Sequence, residues 1–316
     1  MIPKSGRLLA GCLTVMLAMG GCGETEKSVA PPPANPFAAA RVGADSTLEV
    51  ATWNLEAFPK YSPLQPGYVA GTPTTVDLVA QAIEGLQVDI VAIQEIANDS
   101  GGGPAFEQLV ARLPGWDGRY QNTDRYINIG FLFRVDGGLR FGSAAHILNA
   151  YDDTFLRIPY AMEATWNGVP IVVIAVHLKA QESGTADEAK RRESCLLLEE
   201  YVNTYYAGVR VFIVGDMNDE LIDGPDDNVF QNFLDQPESW RFTDLAIAQG
   251  PSSGWSYPGW PSHLDHILVT DELFPALARS GSGTSVVPLH TFISGGWSAY
   301  DRSISDHLPV VVRLVP

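Results

Sequence analysis

Cysteine is scarce, three in 316 residues, so no dense disulfide framework holds the chain and stability has to come from a hydrophobic core. Positive charge is short as well: 20 Lys and Arg stand against 37 Asp and Glu, a formal net charge of −17. That balance excludes a protein that wraps nucleic acid with a broad basic surface, because neutralising phosphates takes clustered Lys and Arg. It leaves room for a local basic site. Only one long apolar run exists, which excludes a multi-span membrane protein, and 30 Gly and 22 Pro scattered without a period exclude collagen-like and coiled-coil chains. What is there is a globular balance, 46% hydrophobic and 18% charged, in a chain long enough for one large domain or two small ones.

The single apolar run lies at the start, where Lys4 and Arg7 precede Leu8 to Gly21 and Cys22 follows. A short basic start before an apolar stretch too short for a comfortable membrane span is the pattern of an export signal. Gly20 and Gly21 before Cys22 resemble a bacterial lipoprotein processing site, at which the cysteine becomes the lipidated first residue. Met19 departs from that pattern, which usually has Leu there; Leu9-Ala10-Gly11-Cys12 matches by letter but has almost no apolar segment ahead of it. The expectation is a lipoprotein-type signal peptide over 1–21, lipidation at Cys22, and a place on the periplasmic or cell-surface side of a bacterial membrane. Ordinary secretion with nearby cleavage is the alternative. Residues 22–45, with Pro31 to Pro33, Pro36 and several Ala, read as a Pro/Ala-rich tether, and 46–316 as the folded domain. Loss of Lys4 and Arg7 leaves 18 basic and 37 acidic residues, a net charge of −19. Cys195, in a helical pattern, reads as packing.

From Leu48 onward, short runs rich in Val and Ile alternate with helical patterns. Strands are expected over Leu48 to Trp53, Asp89 to Gln94, Ile127 to Arg134, Val169 to Leu178, Val209 to Val214, Leu264 to Thr270 and Leu308 to Leu314. Helices are expected over Thr75 to Leu86, Pro104 to Leu113 and Thr185 to Tyr206, the first with Thr74 or Thr75 as cap and Val76, Val79, Ala80 and Ile83 on one apolar face. This mixture suggests one layered α/β domain with packed sheets.

Six segments place polar, acid-base or metal-capable side chains at the ends of apolar strands. They are Thr52-Trp53-Asn54-Leu55-Glu56, Ile93-Gln94-Glu95-Ile96, Val176-His177-Leu178-Lys179, Val214-Gly215-Asp216-Met217-Asn218-Asp219, His263-Leu264-Asp265-His266-Ile267 and Ser305-Asp306-His307-Leu308-Pro309. Each alone is a common strand end or turn cap. Together, and in this order, they resemble the endonuclease/exonuclease/phosphatase superfamily, which includes pancreatic-type deoxyribonucleases, abasic-site endonucleases, inositol polyphosphate 5-phosphatases and bacterial sphingomyelinases. The resemblance implies an α+β sandwich in four layers, two packed mixed β-sheets flanked by helices. It also implies a site at one end of the sandwich with a divalent metal, usually Mg²⁺, Mn²⁺ being the substitute.

The residues suit that chemistry. Hydrolysis of an anionic phosphate ester requires charge neutralisation, an oriented water and stabilisation of the leaving oxygen. Glu95 is the first choice of metal ligand, since hard carboxylates suit Mg²⁺ and one or two suffice. Strand periodicity puts Asn54 and Glu56 on one face; the resemblance places Asn54 beside the metal, and Glu56 is either a further ligand or a surface residue. The Gly-Asp-x-Asn order lets the backbone approach closely at Gly215, and the resemblance makes Asp216 the group that orients the attacking water, with Asn218 holding the phosphoryl oxygen or the nucleophile. By the same resemblance His177 and His307 flank the phosphate, Asp265 partners His307, and Asp306 joins the metal shell. Lys179 shares a strand face with His177 and either contacts phosphate or is solvated. His263-x-x-His266 is not read as zinc, because residues three apart in a strand face opposite sides; His263 is expected to line the site, and His266 to be packed or solvent-facing.

Departures from the family patterns narrow the substrate. The 5-phosphatase versions of the fourth and fifth segments carry Trp and Cys that this chain lacks, and Glu56 and His266 replace the acidic and aromatic residues typical of abasic-site endonucleases. What remains is metal-dependent hydrolysis of phosphodiesters in extracellular DNA or RNA, nucleotide-like phosphodiesters or phospholipid head groups, with a nuclease as the leading expectation and a monomer as the expected state. A phosphomonoesterase or a sphingomyelinase-like phospholipid hydrolase is the alternative on the same fold, and a non-catalytic surface-binding module the alternative from another class. Arg119, Arg125, Arg134, Arg191 and Arg192 are candidates for local positive potential or plain solvation. Trp255, Tyr257 and Trp260 form a loop that stacks on a base, meets lipid or packs.

Overall fold

The computed structural model describes residues 34–98, 101–123, 126–182 and 184–316. The expected signal peptide, Cys22 and the first part of the tether lie outside the described residues, as does Arg125. Two six-stranded sheets form the centre. The first contains β1 (Leu48–Phe58), β2 (Ile90–Ala97), β3 (Trp116–Tyr120), β4 (Ile127–Arg134), β11 (Gly283–Val286) and β12 (Val310–Leu314). The second contains β5 (Leu139–His146), β6 (Tyr160–Trp166), β7 (Val169–His177), β8 (Arg210–Asp216), β9 (Trp240–Phe242) and β10 (Asp265–Thr270). Their spatial orders are β11-β12-β1-β2-β4-β3 and β5-β6-β7-β8-β10-β9. Both sheets are mixed, as expected: β1 runs parallel to β2 and β7 parallel to β8, while the other neighbours are antiparallel.

A parallel pair cannot be joined by a hairpin. Helix Thr75–Leu86 lies in the connection from β1 to β2, and helix Thr185–Tyr205 in that from β7 to β8. Thr74 caps the first of these, its hydroxyl accepting from Asp77 N–H while the Asp77 carboxylate accepts from Thr74 N–H. Side-chain alternation then builds the layers. Val50, Ile90, Phe131 and Phe133 of the first sheet meet Met162, Val173, Phe212, Val214 and Ile267 of the second. On the outer face of the first sheet, Trp53, Leu55 and Ile93 pack under Val79 and Ile83 and under Phe106 and Leu109 of helix Gly102–Ala111. On the outer face of the second, Val172, Ile174 and Ile213 pack under Cys195, Leu198 and Val202. Cys195 is therefore packing, and burial pushes its thiol well above the ordinary range. No helix among the described residues is long and apolar enough to cross a membrane.

Residues 35–45, read from the sequence as part of the tether, pack on the domain instead. Phe37 is fully buried in the outer core, Asn35 donates to the Gln81 carbonyl, and Val42 and Gly43 N–H reach the Leu86 carbonyl. The reason is apolar: Phe37 and Ala40 cover the end of helix Thr75–Leu86.

Register decides where the chemistry gathers. The parallel pairs align Asn54 with Gln94 and His177 with Asp216, and β10 begins with Asp265 opposite Asp216. The carboxyl ends of β1, β2, β7 and β8 thus lie at one end of the sandwich. Away from these strand ends, near the start of β1, the fully buried Glu49 faces Asp89, and burial followed by the Asp89 charge pushes Glu49 up to about 7 despite its Thr47 hydrogen bond. Its Oε2 has no hydrogen-bond partner. A folded-state pKa above the unfolded one costs stability as pH rises from about 4.5 to about 7. Glu49→Gln, whose amide can donate to Asp89, is expected to stabilise the protein by about 1–2 kcal/mol at pH 8 and by little at pH 5, read from denaturant melts at both pH values.

Candidate active site

Asn54 is buried in β1 where its regular pairing with β2 ends, and its amide nitrogen donates both to Glu95 Oε1, 3.2 Å away, and to Asp216 Oδ2, 2.9 Å away. One side chain thus connects a carboxylate of its own sheet with one of the other sheet. The strands are irregular here: both registers of β2 shift, and Glu56, Ala57 and Glu95 have φ of 42°, 53° and 65°. Positive φ in non-glycine residues is costly and persists where the surroundings enforce it. Here the enforcement is visible: Asn54 Oδ1 accepts from Glu56 N–H and Glu95 Oε2 from Ala57 N–H. Glu56 in turn accepts from Asp306 N–H at 2.9 Å and is paired with Lys60, which also reaches Asp301.

Across the site, Gly215 is required, because a Cβ there would lie 1.9 Å from the Val176 carbonyl oxygen. The chain then turns, with Asp216 Oδ1 accepting from Asn218 N–H and Asn218 Nδ2 donating to the Leu178 carbonyl. Burial pushes the Asp216 carboxyl up to about 7; His307 opposes this, and Asp265 and Glu95 add to it.

The two histidines are driven in opposite directions. Burial would lower His307, but Asp265, whose Oδ2 accepts from its Nδ1 at 2.7 Å, outweighs that and holds it at about 10. It is an imidazolium with Nε2 facing Asp216 and Asp306, 3.9 Å from each carboxylate. Its main chain is fixed as well: Trp53 Nε1 and Tyr300 OH donate to its carbonyl, and its N–H donates to Ser305 Oγ, which donates to the Asn54 carbonyl. Burial holds His177 well below its ordinary value, with Arg157 and His307 adding to the effect, so it is neutral; its Nε2 stands 3.6 Å from Asp216 and 3.8 Å from Glu95.

Asn54, Glu56, Glu95, His177, Asp216, Asn218, Asp265, Asp306 and His307 are thus gathered at one end. Lys179 is not aimed there; its ammonium is held by Glu182, Asp187 and the Ala180 carbonyl. His263 does not line the site. It precedes β10 rather than lying in it, so it turns back, and both it and His266 reach Asp244 Oδ2, at 3.0 and 2.7 Å. The expectation that they face opposite sides fails for the same reason. Among the arginines, Arg191 is tied to Asp219, Arg192 to Glu188 and the Asn228 carbonyl, Arg134 to Asp136, and Arg119 to Asp117 over the Phe141 ring. Of the aromatic loop, Tyr257 packs on His307 with centroids 4.7 Å apart, Trp255 donates to the Ile247 carbonyl, and Trp260 is exposed. Two further residues support the site. Ser305 bridges Asn54 to His307. Arg157, a lone cation inside Phe155-Leu156-Arg157-Ile158-Pro159, donates to the Leu178 carbonyl and lies within electrostatic reach of Glu95 and Asp216.

The donor set fits a divalent cation. Glu56, Glu95, Asp216 and Asp306 bring hard oxygens to one end, and burial leaves both Asp216 and Glu56 at about 7, Lys60 opposing the shift in Glu56. The sequence matches the profile of the Endonuclease/Exonuclease/phosphatase family over residues 51–307. The chain belongs to that family. Members of it hydrolyse phosphoester bonds, generally with a divalent metal. No curated protein matches in sequence. Solved structures share the fold: humanized D. rerio TDP2 has a TM-score of 0.61 at 14% identity, covering 85% of this chain and 99% of that one. The human nocturnin catalytic domain with bound sulfate has 0.54 at 17%, covering 85% and 94%. An endonuclease/exonuclease/phosphatase from Bacteroides vulgatus has 0.58 at 16%, covering 85% and 98%.

The Asp265 contact predicts a measurable state. Asp265→Asn should bring the His307 titration, followed by NMR, from about 10 to below about 8.

Proposed function

We propose that this protein is a phosphodiesterase acting on nucleic acid with Mg²⁺ or Mn²⁺, by in-line attack of a water that Asp216 orients. The observation that carries the proposal is the convergence of Glu95 and Asp216 on Asn54, with a neutral His177 and a charged His307 beside them. Glu95, Asn54 and Asp306 are the residues that would hold the cation, which when bound supplies charge neutralisation at the phosphate. The chain's own groups do the rest. Asp216 has an acceptor oxygen and a pKa of about 7, so near neutral pH it can orient a water and take its proton. Asn218, fixed through its N–H and amide by Asp216 and the Leu178 carbonyl, holds the water or a phosphoryl oxygen. The His307 imidazolium donates Nε2–H to a phosphoryl oxygen, and Asp265 keeps it charged. Neutral His177 donates without adding repulsion or charge.

Nucleic acid is one of the substrate classes of the family, and a D. rerio TDP2 structure of the same fold is complexed with single strand DNA product. The acidic surface favours contact with a short stretch of substrate centred on the cation. The protein with Mg²⁺ or Mn²⁺ is expected to hydrolyse bis-p-nitrophenyl phosphate and single-stranded DNA or RNA. Asp216→Ala should lower kcat by about 10³-fold or more without unfolding the domain. Faster hydrolysis of the monoester, or choline release from sphingomyelin, would replace the nuclease by those activities; no hydrolysis of any of these would leave a binding module.

A further inference from the structure

Behind the site, Asp244, His263 and His266 form a fully interior cluster whose ligating atoms lie within 4.8 Å of one another. Hydrogen-bond donors decide against a metal there. His263 Nδ1 accepts from Ser256 N–H at 3.3 Å, so its proton is on Nε2, where it donates to Asp244. His266 differs: both ring nitrogens face only acceptors, Nδ1 the Asp244 carboxylate at 2.7 Å and Nε2 the Asp219 carbonyl at 2.9 Å. A ring satisfied on both sides by acceptors carries both protons. The charge is balanced locally, since Asp244 Oδ2 takes both histidines and Oδ1 takes Ile267 N–H. The other groups around His266 are the His263 ring, perpendicular at 5.1 Å, the Asp265 carboxylate within electrostatic reach, and the Phe230 and Phe242 rings in T-shaped contact.

The position of the contact gives it meaning. Asp219 follows Asn218, whose φ is 53°, and closes the turn that begins at Asp216. Arg191 holds the Asp219 carboxylate at 2.8 Å, and His266 holds its carbonyl. Backbone pairing of His266 with Gly215 joins β10 to β8, the strand that leads into the turn. We propose that His266 and Asp244 form a permanently charged positioning pair that sets the turn from Asp216 to Asp219 for phosphoester hydrolysis. The pair touches no substrate and acts through Asn218 and Asp216; the proposal rests on the reading of that turn as the water-orienting side.

Two measurements on the full domain test it. Imidazole ¹⁵N spectra, with His266 assigned by substitution, should show two protonated ring nitrogens from about pH 6 to 8, and a single protonated nitrogen overturns the pair. In kinetics on bis-p-nitrophenyl phosphate, His266→Gln keeps a donor near the Nε2 position for the Asp219 carbonyl, whereas His266→Asn keeps one near Nδ1 for Asp244 and loses the carbonyl. His266→Asn should lower kcat by about ten- to a hundredfold with KM within about twofold, while His266→Gln retains most of kcat. Equal kcat in the two variants, or a change in KM alone, contradicts positioning through the carbonyl. Should His266→Asn fail to fold, Asp244→Asn takes its place: the ¹⁵N spectrum should show His266 losing its Nδ1 proton while Nε2–H keeps the Asp219 carbonyl and kcat stays within about threefold, and retention of both protons overturns the pair. Hydrolysis absent already in the wild-type protein rejects the enzymatic reading and leaves the ¹⁵N result standing separately.

Discussion

The Asn54 amide donates to two carboxylates from two different sheets, and the site depends on that shared donor. Glu95 and Asp216 would otherwise repel each other across the sandwich, and one neutral NH₂ group brings both within 3.2 Å of a single nitrogen without adding a charge. The carboxylates are therefore brought close together by a donor that adds no charge, an arrangement that suits a divalent cation. Asn54 is itself held from behind, because its carbonyl accepts from Ser305, the residue that also fixes His307. The carboxylate side and the imidazolium side are in this way both tied to Asn54.

The polarity of the remaining groups follows from burial and pairing. His177 and His307 are both inside, yet one is neutral and the other charged, because only His307 has a carboxylate at hydrogen-bond distance on Nδ1. Two adjacent histidines of opposite state offer a phosphate donors without doubling the positive charge. The acidic excess of the chain acquires a local meaning here: some of its carboxylates are histidine partners, and others stand where a cation is needed. The remainder opposes extended contact with a polyanion.

Much of this organisation is legible in the residues. The Val- and Ile-rich runs that became β1, β2, β4, β7, β8, β10 and β12 are interior strands with continuous apolar patterning. β3, β5, β9 and β11 lie at sheet edges; Trp116-Asp117-Gly118-Arg119-Tyr120 and Leu139–His146 mix glycine, charge and exposed positions and carry no apolar run to find. β6 is interior but interrupted by exposed Glu163. At the site, motif order pointed to the residues that converge, since strand ends inherit their neighbours from parallel register. Strand periodicity does not govern His263, which lies two residues before β10 begins. Arg157 and the Asp244 pair escaped because their partners are set by long-range packing, which no local period encodes.

Anomalous diffraction from crystals soaked in Mn²⁺ would show whether the carboxyl ends of β1, β2 and β8 build a divalent-cation site. The expected result is an ion coordinated by Glu95 with Asn54 and Asp306 beside it, and none at Asp244, His263 and His266. An ion seated on the buried Asp244 cluster, or none near Glu95 at saturating Mn²⁺, would contradict it.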